Sequence, residues 1–225
     1  MSIARGKAPS MHEASQSVPL RLNALLTEAG LEAVDSALAG RFEAYLSLLL
    51  RWNARVNLTA VRDEGGILSR HFVESIACAR ALPAGIATLL DFGSGAGFPG
   101  IPIALCRPEI AVTLAESQGK KAAFLHEAVR TLGISARVHS ARGESLLEQF
   151  DCVTLRAVDR MPQAVKAASR LATPGGWLAL MTTGEELAAL QAGAGPAWVW
   201  LKAVPLPGSA ERMLSLGERR ISSPA

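Results

Sequence analysis

A glycine-rich segment that follows an apolar run constrains the fold of this chain more than any other feature. It extends from Asp91 to Gly100 with the sequence D-F-G-S-G-A-G-F-P-G, directly after the apolar run at 87–91. Glycines permit a tight turn and let a ligand approach the backbone, because they carry no Cβ. In a doubly wound α/β fold, ligands bind in loops at the carboxyl ends of parallel strands. The segment therefore predicts a ligand-binding loop at the end of a buried strand.

Short apolar runs alternate with helical patterns in the remainder of the chain, which predicts an α/β protein with a mostly parallel, Rossmann-like sheet. The last two strand candidates have no helix between them, so we expect the sheet to have an antiparallel end. The residues Pro-Gly-Gly at 174–176 predict a turn. The strand candidates lie at 87–91, 110–115, 136–140, 152–158, 177–181, 198–204 and 213–216, and the helix candidates between them at 120–132, 161–171 and 185–191.

An N-terminal helical appendage is predicted before this sheet. Five large apolar residues recur at alternating steps of four and three residues, which is typical of one face of an α-helix. They are Leu38, Phe42, Tyr45, Leu49 and Trp52. A second helical pattern covers 67–81 and ends before Pro83. Because the first residues are polar and small, we expect a disordered tail at 1–17, a helical extension at 18–82 and an α/β domain at 83–220.

Composition narrows the classes of protein to which the chain can belong. With 225 residues, 49% of them hydrophobic and 19% charged, the chain is long enough to bury one sizeable core. No apolar run approaches the roughly 20 residues that span a bilayer and no signal peptide is recognisable, so we expect a cytoplasmic protein without a membrane partner. The net charge of +3 permits a polyanionic partner without requiring one. We expect neither a metal site nor a disulfide from the dispersed Cys78, Cys106 and Cys152.

Two kinds of ligand fit the glycine-rich segment. The string G-x-G-x-x-G at 95–100, with Glu116 downstream, matches the dinucleotide fingerprint and would make the chain an NAD-dependent oxidoreductase. The overlapping string D-x-G-x-G-x-G at 91–97 resembles the first motif of class I methyltransferases, whose cofactor is S-adenosylmethionine. Three features favour the second reading. They are the acidic residue two before the first glycine, the carboxylate that ends the second strand and the antiparallel end of the sheet.

A second motif connects the chain to one family. The sequence R-W-N-A-R-V-N-L-T-A at 51–60 resembles the W-N-x-x-x-N-L-T segment of the bacterial RsmG (GidB) proteins, which methylate N7 of a guanine in 16S ribosomal RNA. The resemblance covers roughly residues 20–216. Its further matches are R-H-F-V-E-S at 70–75, the loop at 91–102, R-P at 107–108, E-S-Q-G-K-K at 116–121, R-A at 156–157 and the segment 208–212.

The resemblance implies a cofactor, a partner and a set of site residues. The cofactor is S-adenosylmethionine, the partner is 16S ribosomal RNA or the small ribosomal subunit, and the protein is expected to be a monomer. Arg156 is expected where cofactor and RNA meet, and Glu116 is expected to hold the ribose. The cofactor residues implied by the loop and the family together are Asp91, Gly93, Gly95, Gly97, Phe98, Glu116, Gly143, Glu144 and Arg156. The residues implied near the RNA are Lys120, Arg142 and Arg212.

The chemistry implied for this family requires little from the side chains. N7 of guanine carries a lone pair and no proton, so an in-line displacement there needs positioning and not a general base. Arg156 is therefore expected to position the reactants, although an ion pair would also explain it. Glu144 could instead begin a helix, and His71 could be a structural histidine. Relatives usually carry Leu-Lys-Gly after the fifth strand, where this chain has L-M-T-T-G at 180–184. A non-catalytic RNA-binding module is the remaining alternative, which the intact loop glycines disfavour.

Overall fold

Five parallel strands form the centre of an eight-stranded sheet in the computed structural model, which describes residues 16–221. The strands are β1 Thr88–Phe92, β2 Ala111–Ala115, β3 Ala136–His139, β4 Phe150–Arg156, β5 Ala172–Thr183, β6 Trp198–Trp200, β7 Val204–Pro205 and β8 Arg212–Arg219. Their spatial order is β3-β2-β1-β4-β5-β8-β6, with β7 also paired to β8. Because β8 is antiparallel to its three neighbours, the predicted Rossmann-like sheet with an antiparallel end is confirmed.

Eight α-helices and two short helical segments of other types accompany these strands within residues 16–221. The α-helices are α1 Val18–Glu28, α2 Ser36–Asn53, α3 Glu64–Gly66, α4 Glu74–Ala81, α5 Gly100–Cys106, α6 Gly119–Leu132, α7 Met161–Leu171 and α8 Gly184–Ala194. A π-helix, Ile67–Val73, joins α3 to α4, and Gly143–Ser145 forms one 3₁₀ turn. Among these described residues, no helix is both long and apolar enough to cross a membrane.

The sheet has an apolar core on each face, because successive strand residues point to opposite sides. In β1, Leu89 packs with the core that contains α1, α2, α4, α5 and α6, whereas Leu90 packs with the core of α7 and α8. The apolar stripe predicted on α2 enters the first of these cores, where Phe42 and Tyr45 are fully buried. The helical segment at 18–82 therefore shares one core with a face of the sheet, and the domain boundary at 82/83 stays a prediction.

Two segments differ from the elements expected from the sequence. The predicted turn at 174–176 lies inside β5, which pairs with β4 on both sides of an irregularity in register. The strand candidate at 198–204 is divided into β6 and β7, which pair with different parts of β8. Pro205 at the end of β7 has no N–H to donate, which suits a short edge strand. The predicted tail at 1–17 lies outside the described residues except for its last two.

Candidate active site

A cavity of about 530 Å³ opens at the carboxyl ends of β1, β2 and β4. The chain leaves β1 towards β2 on one side and returns to β4 on the other, which makes this the switch point where α/β folds bind ligands. The volume lies within the roughly 300–1,000 Å³ typical of small-molecule sites. Eight of the residues predicted from the sequence line it: Gly93, Gly95, Phe98, Glu116, Arg142, Gly143, Glu144 and Arg156.

Asp91 holds the glycine-rich loop in place through buried hydrogen bonds and does not line the cavity. Its side chain is buried and accepts hydrogen bonds from the Gly100 N–H at 3.1 Å and the Thr154 hydroxyl at 2.9 Å. Burial raises the pKa of the Asp91 carboxyl to about 6, against the opposing effect of these hydrogen bonds. The carboxyl thus ties the start of α5 to β1 and β4, and a direct contact with the cofactor stays a prediction.

Two of the loop glycines are required for different reasons. Gly95 has a φ of +56°, and a Cβ there would meet only the Gly93 carbonyl oxygen, at 3.9 Å. Gly97 has a φ of +90°, and a Cβ there would lie 2.4 Å from the Ile101 side chain and 2.8 Å from the hydroxyl of Tyr45. The first glycine therefore leaves open space for a ligand, whereas the second permits close packing underneath the loop.

Glu116 forms the wall of the cavity on the β2 side. Its carboxylate accepts hydrogen bonds from the backbone N–H groups of Gly95, at 3.0 Å, and Gln118, at 2.7 Å. The residue is only 7% exposed, so these two donors offset part of the cost of burying a charge. These backbone partners were not predicted from the sequence. Glu116 therefore orders the loop as well as facing the space where a ribose is predicted.

Arg156 forms the wall on the β4 side, where it is surrounded by hydrogen-bond partners from a distant part of the sequence. One terminal nitrogen, Nη2, contacts the Arg70 carbonyl oxygen at 2.7 Å, Oε2 of Glu74 at 2.9 Å and Nδ1 of His71 at 3.1 Å. The other, Nη1, donates to the Ser75 hydroxyl at 3.3 Å. All four partners lie in the π-helix or the first turn of α4. The Arg156 side chain is therefore fixed by the helical extension.

His71 completes this wall as a neutral ring. Its imidazole stacks on the ring of Phe98, with 4.7 Å between centroids and 21° between planes. Nε2 lies 2.8 Å from the Thr59 hydroxyl, while Nδ1 receives the hydrogen bond from Arg156. Burial and the positive charge of Arg156 lower the pKa of His71 to about 3. The imidazole is therefore uncharged at neutral pH and has both nitrogens engaged.

Three of the predicted site residues besides Asp91 lie outside the cavity lining. Gly97 packs under the loop. Lys120 is exposed in the first turn of α6, whereas the adjacent Lys121 lines the cavity. Arg212 forms an ion pair with Glu74, with 2.7 Å between Nε and Oε1. The Arg212 side chain is 27% exposed, which leaves part of it accessible to a partner. Contact between Arg212 and RNA stays a prediction.

Several residues of the site were not predicted in these roles, although most lie in motifs that the sequence made visible. Thr59 belongs to the segment at 51–60, and His71 and Glu74 belong to the segment at 70–75. Glu74 directly follows the apolar pair Phe72-Val73 and precedes Ile76, and no local signal in the sequence marks it as the partner of a buried cation. In the segment 180–184, where relatives usually carry a lysine, Thr183 caps α8 by accepting from the Glu186 N–H.

Comparison with known sequences supports one family. Residues 39–198 match the family model GidB, described as rRNA small subunit methyltransferase G. The chain is 41% identical over 220 residues to Ribosomal RNA small subunit methyltransferase G of Stenotrophomonas maltophilia (strain K279a), a match that covers 94% of this chain and 97% of that protein. It is 45% identical over 174 residues to the protein of the same name from Xanthomonas euvesicatoria pv. vesicatoria (strain 85-10), with 74% and 81% covered.

Comparison with solved structures supports the fold. An O-methyltransferase from Bacillus cereus, in complex with SAH, aligns with a TM-score of 0.57 and 16% identity, over 78% of this chain and 91% of that chain. A methyltransferase from Pyrococcus furiosus aligns with a TM-score of 0.58 and 15% identity, over 81% and 100%. At such low identity the likeness concerns the Rossmann-like architecture alone.

Proposed function

The chain belongs to the GidB family of rRNA small subunit methyltransferases and is an S-adenosylmethionine-dependent enzyme, and from this premise we propose that it methylates N7 of a guanine in 16S ribosomal RNA. We further propose that it acts in the cytoplasm as a monomer on the RNA or the small subunit. The relatives in this family carry the small-subunit substrate in their name, and the guanine N7 follows from the RsmG resemblance. The observation that carries the proposal is the cavity at the switch point, with a carboxylate on one side and a neutral histidine on the other.

The residues present fit S-adenosylmethionine. Gly95 leaves open the space that a side chain would fill, and Glu116 presents a buried carboxylate to the same cavity. A carboxylate has lone pairs for four hydrogen bonds, so the two backbone donors leave acceptors for the ribose hydroxyls. Gly143 approaches the ring of Phe92 so closely that a Cβ would lie 2.6 Å from it, which keeps the wall flat for an adenine. We propose that Gly93, Phe98 and Glu144 complete the cofactor site.

The reaction requires the protein to align two atoms and exclude water. When bound, S-adenosylmethionine supplies a methyl group on a positively charged sulfur, which is already activated for displacement. Arg156 and His71 define the side of the cavity where the acceptor base would lie, because β4 is on the opposite side of β1 from Glu116. The pKa of His71, lowered by burial and the positive charge of Arg156, makes this imidazole a weak base near neutral pH. An acceptor with a free lone pair and no proton, such as guanine N7, suits this site.

RNA would reach the cavity across a basic rim. Arg142 is exposed and lines the opening, and Lys121 lines it from α6. We propose that Lys120, Arg142 and Arg212 contact phosphates, which carry the affinity in most protein–nucleic acid complexes. Arg212 would have to do so through the exposed part of its side chain, because its guanidinium is paired with Glu74.

Methyl transfer from tritiated S-adenosylmethionine to small subunits that lack the modification tests the proposal. We expect label in 7-methylguanosine after digestion of the RNA to nucleosides, and parallel reactions with naked 16S RNA would identify the preferred substrate. The Gly95→Asp variant serves as the inactive control. Label in 6-methyladenosine, 5-methylcytidine or protein would refute the guanine N7 assignment. Hydride transfer with NAD, or RNA binding without methyl transfer, would revive the two alternatives.

A further inference from the structure

A carboxylate with no exposed surface lies beside the cavity and is shared by two arginines. Glu74, the first residue of α4, is 0% exposed. Its Oε2 accepts from Arg156 of β4 at 2.9 Å, and its Oε1 accepts from Nε of Arg212 of β8 at 2.7 Å. The arginine side chains are 10% and 27% exposed. The three side chains therefore join α4 to two strands of the sheet and retain one net positive charge.

Stability alone does not account for this arrangement. Removing a carboxylate and two cations from water is costly, and buried ion pairs can often be replaced by apolar residues without loss of stability. Exposed pairs elsewhere in the described residues, such as Arg137 with Glu148, carry no such cost. The position of Glu74 suggests another role, since the arginine that it holds also contacts the side chain that faces the acceptor.

Arg156 connects Glu74 to His71, because it contacts both side chains. The same nitrogen, Nη2, that contacts Glu74 also donates to Nδ1 of His71. Nη2 has two N–H groups for three acceptors, so His71 shares one of them. An arginine can only donate, so Nδ1 is the acceptor and the proton of the neutral ring is on Nε2, where it faces the Thr59 hydroxyl at 2.8 Å. The ring is thereby fixed parallel to Phe98. Without Glu74, the buried Arg156 guanidinium would have no carboxylate to orient it.

We propose that Glu74 is a positioning residue for methyl transfer: through Arg156 it keeps His71 in one tautomer and flat against Phe98, as a neutral wall for the acceptor base. This inference rests on the proposed function. Stacking on flat aromatic side chains is a common way for proteins to hold an unpaired base. A charged or rotated imidazole would place an N–H near the acceptor, where it could occupy the lone pair that attacks the methyl group. A neutral wall leaves that lone pair free.

The wild-type protein provides the first test, without RNA or cofactor. Nitrogen chemical shifts of the histidine side chains, measured at pH 7 on ¹⁵N-labelled full-length chain, report both charge and tautomer. The His71 signals are assigned by their loss in His71→Asn. We expect a neutral ring with its proton on Nε2. A protonated ring, or a proton on Nδ1, would overturn the proposal. Absence of methyl transfer by the wild type would instead count against the proposed function and leave this result standing.

Glu74→Gln provides the second test, because it keeps the shape of the side chain and removes the charge. We expect kcat to fall at least tenfold, with cofactor Kd and the KM for small subunits within threefold of wild type, and the His71 signals to shift. The matched control is Glu64→Gln, which removes a half-exposed carboxylate in α3 that pairs with Arg21 of α1, and it should keep kcat within twofold.

Glu74→Asp separates charge from reach. Its carboxylate is one methylene shorter and cannot span both arginines, so we expect a loss of kcat of about threefold to tenfold and a smaller shift of the His71 signals. This variant also serves if Glu74→Gln does not fold. In either folded variant, an unchanged His71 spectrum or an unchanged kcat would overturn the proposal, and if neither folds the wild-type spectrum decides it.

Discussion

The two sides of the cavity are built in different ways. On the β2 side, Glu116 is held by backbone N–H groups of its own loop and of the neighbouring glycine loop. On the β4 side, Arg156 is held by the π-helix and α4, and it shares Glu74 with Arg212 of β8. The first side needs only two adjacent strands, whereas the second needs the helical extension and two strands, β4 and β8, that are separated by β5. Changes on the β2 side should therefore affect mainly cofactor binding, and changes on the β4 side should affect turnover, together with stability where a buried charge loses its partner.

The largest effect is expected at the glycine loop on the β2 side. In Gly95→Asp a side chain would fill the cofactor space, and its charge would lie near the Glu116 carboxylate. We expect no S-adenosylmethionine binding detectable by calorimetry. Gly85→Asp is the matched control, because Gly85 also has a positive φ, +84°, and a Cβ there meets nothing within 4 Å. Equal affinity in wild type and Gly95→Asp would place the cofactor elsewhere.

The next largest effect is expected on the β4 side. Arg156→Ala leaves the buried Glu74 with Arg212 as its remaining cation, so the unfolding free energy should fall by about 3–5 kcal/mol. Turnover should be lost as well. Urea unfolding measures the change in unfolding free energy. Arg137→Ala is the control, because the exposed pair between Arg137 and Glu148 should contribute about 1 kcal/mol or less. A loss for Arg156→Ala no larger than for the control would remove the contrast between the two sides.

Glu116→Ala should separate binding from stability. We expect cofactor affinity to weaken by about 1.5–3 kcal/mol, the scale of hydrogen bonds to a charged acceptor. Unfolding free energy should fall by only about 1 kcal/mol, because the freed N–H groups of Gly95 and Gln118 border an open cavity and can bind water. Calorimetry measures the loss of cofactor affinity, and urea unfolding of the same preparation measures the loss of unfolding free energy. Glu116→Gln keeps the size of the side chain, and its cofactor affinity should lie between those of wild type and Glu116→Ala. A stability loss as large as that of Arg156→Ala would contradict the comparison.

The smallest effect is expected at the rim. Arg142 is exposed, so Arg142→Ala should leave cofactor affinity and unfolding unchanged. If it contacts one phosphate, the slope of log affinity against log salt should flatten by about 0.7–0.9. Binding to small subunits at several salt concentrations measures this, again with Arg137→Ala as control. An unchanged slope would indicate that Arg142 is a solvated charge and would leave RNA binding to other parts of the rim.

Much of the fold could be predicted from local patterns. The helix at 161–171 was predicted with its observed bounds, because its apolar spacing and Pro162 are local signals. The turn predicted at 174–176 falls inside β5, where residues 173–176 bulge out of the pairing with β4 and Gly175 has a φ of +77°. Similarly, division of the segment 198–204 into two strands depends on how each part meets β8. Local propensity cannot report such pairings.

The sequence by itself determined the alternation of strands and helices, the glycine loop at the end of β1 and the resemblance that led to the family. These features depend on neighbouring residues or on local backbone conformation, so short sequence motifs are enough to predict them. Only the tertiary structure decided the partners of the charged residues. Glu74 lies 82 positions from Arg156 and 138 from Arg212, and its carboxylate has no exposed surface, so only these two cations are available to offset its charge. Which cation meets which carboxylate follows from the order of strands and the packing of the helical extension, and no periodicity in the sequence reveals it.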